Sequence, residues 1–150
     1  MQYKISTDLL IKKFLSFANA LGINSIKFLP FMPHKDVLEI LKNKAKITII
    51  PNAPSIFNFF SFPVKLLEYM ITSNIVISAD TPVIKEIIKD EVNGFLFKTG
   101  DAKSLAKVIE KVINLPSEDL LKVAKRAYNT AKNFTYEKRA GKILEFLKCL

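Results

Sequence analysis

The chain has 150 residues, 49% of them hydrophobic and 25% charged, and a net charge of +9 carried almost entirely by lysine. That balance excludes a disordered chain and predicts one folded core of ordinary domain size. Arginine occurs only at Arg126 and Arg139 and there is no dense basic block, so nucleic acid is set aside; the lysines read as a solvated surface or as attraction to a nucleotide phosphate or an acidic membrane.

Residues 3–6, "YKIS", alternate and predict a first strand. Thr7 or Asp8 then caps a helix whose stripe is Leu10, Phe14, Phe17, Ala18 and Leu21, ended by Gly22. "SIKFL", residues 25–29, predicts a second strand. "PHKDVLEILKNK" opens on Pro33 as a second helix. "KITIIP", residues 46–51, is a β-branched run of buried-strand type. A loop over residues 52–62 leads to a helix opening at Pro63. "NIVISA", residues 74–79, is the fourth strand. Thr81-Pro82 is an N-cap followed by proline at the first helical position, opening "VIKEIIKD". Asn93-Gly94 predicts a turn and "FLFK", residues 95–98, the fifth strand. Gly100-Asp101 starts a helix with Leu105, Ile109, Val112 and Ile113 inward. Pro116-Ser117 precedes "EDLLKVAKRAYNTAKNF", and Thr135 caps a last helix ending near Leu147.

Strands alternating with helices predict an α/β fold with a doubly wound parallel sheet of about five strands, Rossmann-like, with a helical C-terminal extension. Residues 1–150 read as a single domain. Ligands of such sheets sit beyond the carboxyl ends of the strands, where the winding reverses. The loops after the first and third strands are therefore the candidate site, and the second of these leads into "FPVKLLEYM".

A helix N-terminus presents free N–H groups and a partial positive charge, which suits phosphate. Proline there loses no needed donor. The N–H groups of Val64 and Lys65 and the Lys65 ammonium are the anion-binding candidates. Glu68, one turn further in, can accept hydroxyls of a ribose or sugar. A plainer reading also stands: Lys65 and Glu68 as a surface i,i+3 pair worth a few tenths of a kcal/mol.

Cys149 and His34 are the only cysteine and histidine. They exclude an internal disulfide and give no support to a Cys/His metal site, and a single thiol suits a reducing, cytoplasmic setting. His34, just before a helix, reads first as a capping or surface residue and, as the alternative, as a ligand contact. Asp8, Asp80 and Asp101 read as caps. "KKFLSFANA" has too short an apolar run for an export signal, and no stretch is long and apolar enough to span a bilayer. No catalytic residue and no metal ligand is assigned. Phe57, Phe59, Phe60 and Phe62 form either a membrane or partner contact or an inward-folding cluster.

"FPVKLLEYM" resembles the P-x-K-x-x-E-Y-M signature of one branch of the group 1 glycosyltransferases, which have the two-domain GT-B fold. The likeness continues in order through "ALGINSIKFLPFMPHKDVLEILKNKAKITIIPN", "TPVIKEIIKDEVNGFLFKTGDAKSLAKVIEKVI" and "NFTYEKRA". It implies the C-terminal, donor-binding domain of such an enzyme, with a UDP-, GDP- or other nucleotide-diphosphate sugar as substrate and no further cofactor. Glu68 would take the ribose hydroxyls, Val64 and Lys65 the diphosphate through their N–H groups, and Ser61 and Phe62 would line the same turn. Glu86 matches a recurrent family glutamate but reads mainly as part of a surface helix.

The departures from the family pattern carry expectations of their own. Phe60 stands where many members have a second glutamate that touches the donor sugar. Ile71, Ser73 and Ile75 replace the usual small residues, glycine and proline, and Ser6-Thr7-Asp8 replaces a glycine-rich turn. The N-terminal acceptor domain and the first strand and helix of the donor domain have no counterpart, so a truncated chain, inactive alone, is expected. Strand 1 of the family order 3-2-1-4-5-6 would be missing from mid-sheet. Either the flanking strands close up to the flavodoxin-like order 2-1-3-4-5 or a separate chain supplies the missing piece. Expected partners are a nucleotide sugar, that separate chain, and a peripheral contact at the inner face of the membrane. The alternative is a flavodoxin-like, non-catalytic binding module.

Overall fold

The computed structural model describes residues 7–149. The chain divides into two compact units, Met1–Pro33 and His34–Leu150. In the first, α1 runs from Thr7 to Ala20. Gly22 ends it at φ +74, with the Ile23 N–H returning to the Ala18 carbonyl at 3.0 Å, a left-handed glycine cap. Phe14 meets Phe28 edge-on at 5.7 Å.

The second unit contains α2 (His34–Asn43), β1 (Ile47–Ile50), α3 (Ile56–Phe60), α4 (Val64–Ile71), β2 (Ile75–Ala79) and α5 (Pro82–Ile87). It continues with β3 (Phe95–Phe97), α6 (Ala102–Ile113), α7 (Ser117–Ala131) and α8 (Tyr136–Lys148). The three strands form a parallel sheet in the order β1-β2-β3, with Ile47 opposite Ile75 and Ile77 opposite Phe95. β2 is the middle strand, and all five of its residues are buried. Its near-continuous apolar run is what a parallel strand covered on both faces requires.

Alternation along β2 divides the core in two. Val76 packs with Ile50, Leu66, Met70, Ile84 and Ile88 on one side. Ile75, Ile77 and Ala79 pack with Phe95, Phe97 and Val112 on the other. Helix α7 serves both clusters: Val123 and Ala124 join the second, Ala127 and Ala131 the first. The small alanines let α7 lie close against α4. Helices thus cover both faces, as a doubly wound sheet demands.

Two buried asparagines brace the turns. Asn74 donates Nδ2 to the Leu41 carbonyl at 3.0 Å and to Thr72 Oγ1 at 2.8 Å. Asn93 donates to the Ile87 carbonyl and to Thr130 Oγ1, both at 3.0 Å, and accepts from the Lys89 N–H at 2.8 Å. Gly94 follows it because a Cβ there would stand 3.1 Å from Ile88 Cδ1 and 3.3 Å from the Val76 carbonyl.

The strands expected third, fourth and fifth are β1, β2 and β3. The strand expected over residues 3–6 lies outside the described residues. Residues 25–29 carry no ladder among the described residues; a strand is defined by its neighbour, and their expected neighbour was the segment at 3–6. The expected loop over 52–62 contains α3, capped by Ser55, whose Oγ accepts from the Asn58 N–H at 3.1 Å. Its aromatic residues leave no helical stripe to read. Pro63 is the N-cap of α4 rather than a residue within it. The helical C-terminal extension is α7 and α8.

Candidate functional site

The start of α4 is shaped by proline. Pro63 has φ −85 and ψ 76, and the Val64 N–H donates to the Phe62 carbonyl at 3.0 Å. This is an inverse γ-turn, so the Val64 N–H is already engaged. The Leu66 N–H donates to the Pro63 carbonyl at 3.0 Å. The Lys65 N–H has no partner among the described residues and is the open donor at this helix end. Ser61 caps the end of α3 through its N–H to the Phe57 carbonyl.

Glu68 sits one turn into α4, its side chain 26% exposed. Its Oε1 lies 2.9 Å from Nε2 of His34, the first residue of α2. An ion pair between Lys65 and Glu68 does not form among the described residues; Glu68 pairs with His34 instead. The next residue, Tyr69, has its phenol pushed up by burial and by the Glu68 charge.

Phe62, Val64 and Glu68 line one wall of a cavity of about 720 Å³. Phe134, Lys138, Arg139 and Lys142, from the α7–α8 turn and α8, line the other. Phe62 and Phe134 meet with ring centres 6.3 Å apart. Among the described residues the lining therefore combines apolar side chains with a cationic rim and a single carboxylate, Glu68. Ser61 and Lys65 lie outside it. Of the five residues singled out in the sequence, three share the cavity and two flank it.

Asp80, at the carboxyl end of β2, is more than a cap. Its Oδ1 accepts from both the N–H and the hydroxyl of Thr99 at 2.8 Å, and its Oδ2 pairs with Lys85 at 3.0 Å. Burial works against its charge, but the Thr99 and Lys85 bonds outweigh it and hold the carboxyl below its ordinary value of 3.8. A folded-state pKa below the unfolded one stabilises the fold above about pH 4, and that contribution is lost as pH falls through the depressed value. Asp80→Asn is expected to lower the urea midpoint at pH 7 and to flatten its decline between about pH 4 and pH 2. Equal acid sensitivity in the two proteins would show that the loop ends are not joined this way.

Asp101 does cap α6, accepting from the Ser104 N–H at 3.0 Å, whereas Asp8 lies within the first turn of α1. Glu86 is exposed on α5, in keeping with a surface helix. Phe57 and Phe60 are each 77% exposed, and Phe59 is half-buried. Among the described residues no group of His, Cys, Asp and Glu is arranged to hold a metal, and no helix is long and apolar enough to cross a membrane.

Sequence reasoning missed two parts of this site. His34 was legible as a residue after proline at a helix start that could cap or touch a ligand, but not as the partner of Glu68. The cationic rim had a signal, Lys138 and Lys142 four residues apart on one helix face, but nothing in the sequence says what that face adjoins.

The chain shares its fold with several solved structures. The Anabaena protein Alr3699/HepE in complex with UDP superposes with a TM-score of 0.81 at 23% identity, over 97% of this chain and 38% of that one. The C-terminal domain of the group 1 family protein LpcC from Francisella tularensis gives 0.70 at 22% identity, over 86% of this chain and 64% of that one. Sucrose-phosphate synthase from Thermosynechococcus elongatus gives 0.73 at 17% identity, over 92% and 34%. The chain thus spans 38% of the length of the Anabaena protein. No curated protein matches the chain. The family model of the glycosyl transferases group 1 matches residues 12–134, most of the sequence. The chain belongs to the group 1 glycosyltransferases.

Proposed function

We propose that residues 1–150 act as a donor-binding domain that takes a nucleotide-diphosphate sugar for transfer to a glycan or lipid-linked acceptor. The observation that carries this reading is Glu68: a half-buried carboxylate one turn inside a helix whose start leaves the Lys65 N–H open. In this reading Glu68 accepts ribose hydroxyls. The Lys65 N–H and ammonium hold the diphosphate, and Ser61, Phe62 and Val64 form the turn that lines the site. The UDP seen with the Anabaena protein supports the ligand class.

Sugar transfer also needs an acceptor site and a cleft that excludes water. The residues assigned here bind donor and supply neither, so the purified chain alone is expected to bind without transferring. A separate chain carrying an acceptor lobe is the proposed partner, in the cytoplasm or at the inner face of the membrane. Calorimetric titration with UDP, GDP and their sugars tests the binding. Saturable heat with one base supports the reading; no heat with any of them removes it. Sugar transfer by the purified chain would overturn the proposed need for a partner.

The second reading is a binding module without sugar chemistry. Phe60, exposed where the resemblance leads one to expect an acid, favours it. Binding of UDP or GDP with no gain in affinity from an attached sugar is the result it predicts.

A further inference from the structure

Glu68 is useful to a ligand only if its carboxylate is held still and one oxygen is kept free. Five cations lie on its own helix or line the same cavity. Lys65 is three residues back on its own helix, and Lys132, Lys138, Arg139 and Lys142 line the same cavity. None of them pairs with it among the described residues; the partner is the imidazole of His34.

We propose that His34 is a positioning residue of this site: its Nε2–H pins Oε1 of Glu68 and so presents Oε2 to the ligand's hydroxyl groups. This rests on the donor-binding reading above. A carboxylate only accepts, so the 2.9 Å contact requires the proton on Nε2. The helix that carries the imidazole is itself braced. His34 opens α2, and near the other end of α2 the Leu41 carbonyl is held by Asn74 Nδ2 at 3.0 Å. The Asn74 N–H in turn donates to the carbonyl of Tyr69, the residue after Glu68, at 3.1 Å. Helices α2 and α4 are thus linked at two points, one buried and one at the site, so α2 holds the His34 backbone in place beside Glu68. The His34 side chain is 64% exposed, so its removal opens no hole in the core.

The test uses the whole chain with UDP and GDP as probes. His34→Ala is expected to weaken binding about tenfold, the effect of one charge-assisted hydrogen bond, with the thermal midpoint unchanged. His34→Gln, whose amide nitrogen reaches the place of Nε2, is expected to recover most of the affinity. Because His34 is the chain's sole histidine, one set of imidazole nitrogen signals reports on it, and the Nε2 signal is expected to move as UDP saturates. Wild-type affinity in His34→Ala, a glutamine variant no better than alanine, or an imidazole signal blind to bound UDP would each overturn the proposal. If the unaltered chain binds neither nucleotide, the donor-binding reading itself fails, and this inference fails with it.

Discussion

Glu68→Ala is expected to weaken binding of a nucleotide-diphosphate sugar by roughly ten- to a hundredfold, since hydrogen bonds to a charged group contribute about 1.5–3 kcal/mol each. The loss should appear in calorimetry as a weaker constant at unchanged stoichiometry. Glu68→Gln keeps an acceptor oxygen but loses the charge, and should fall between the two. The side chain is partly exposed and its one protein bond among the described residues is to His34, so the fold should survive either change. Wild-type affinity in Glu68→Ala would return Glu68 and His34 to an ordinary surface pair, and the donor site would have to be sought elsewhere. Lys65→Ala separates the two ends of the ligand: it should weaken UDP more than uridine, because only UDP carries the diphosphate.

Leu66→Ala is expected to have the largest effect on stability. Leu66 is fully buried in the cluster that joins α4 to β2 and to the alanines of α7. Removing a buried leucine side chain costs about 2–5 kcal/mol when the surroundings relax only partly. Against a total of about 5–15 kcal/mol for a domain, that is a large share. The urea midpoint should fall strongly with little change in slope. Leu67→Ala, at a half-buried neighbour, should lose much less. A loss below about 1 kcal/mol at Leu66 would mean that α4 does not dock against the sheet as described. Because α4 also carries Glu68, the more severe variant should lose ligand binding as it loses folded population.

Much of the architecture was legible in local pattern. The β-branched runs of β1 and β2 read as strands because a strand covered on both faces can be apolar throughout. Gly22, Asp101 and Thr135 marked helix ends because each satisfies a backbone requirement within a few residues, and Thr81-Pro82 marked one because Pro82 suits the first helical position, although the Thr81 hydroxyl makes no capping bond. Thr135 Oγ1 accepts from the Lys138 N–H at 3.3 Å, a bond that needs no distant partner. The helix expected to open at Pro63 is α4, and Glu68 lies one turn into it.

What stayed hidden depends on neighbours far along the chain. Residues 25–29 have strand composition, but composition does not supply the adjacent edge that makes a ladder. The partner of Glu68 was misjudged because the i,i+3 rule offered Lys65, while the fold brings His34 from 34 residues away. Asp80 looked like a cap, yet it ties β2 to Thr99 across 19 residues. The sequence alone therefore determined three of the strands and most of the helices and where most of them end, because those follow from periodicity, capping and local motif. Only the tertiary structure decided which side chains meet at Glu68, because such contacts are set by how α2, α4 and the sheet pack, and no local pattern encodes them.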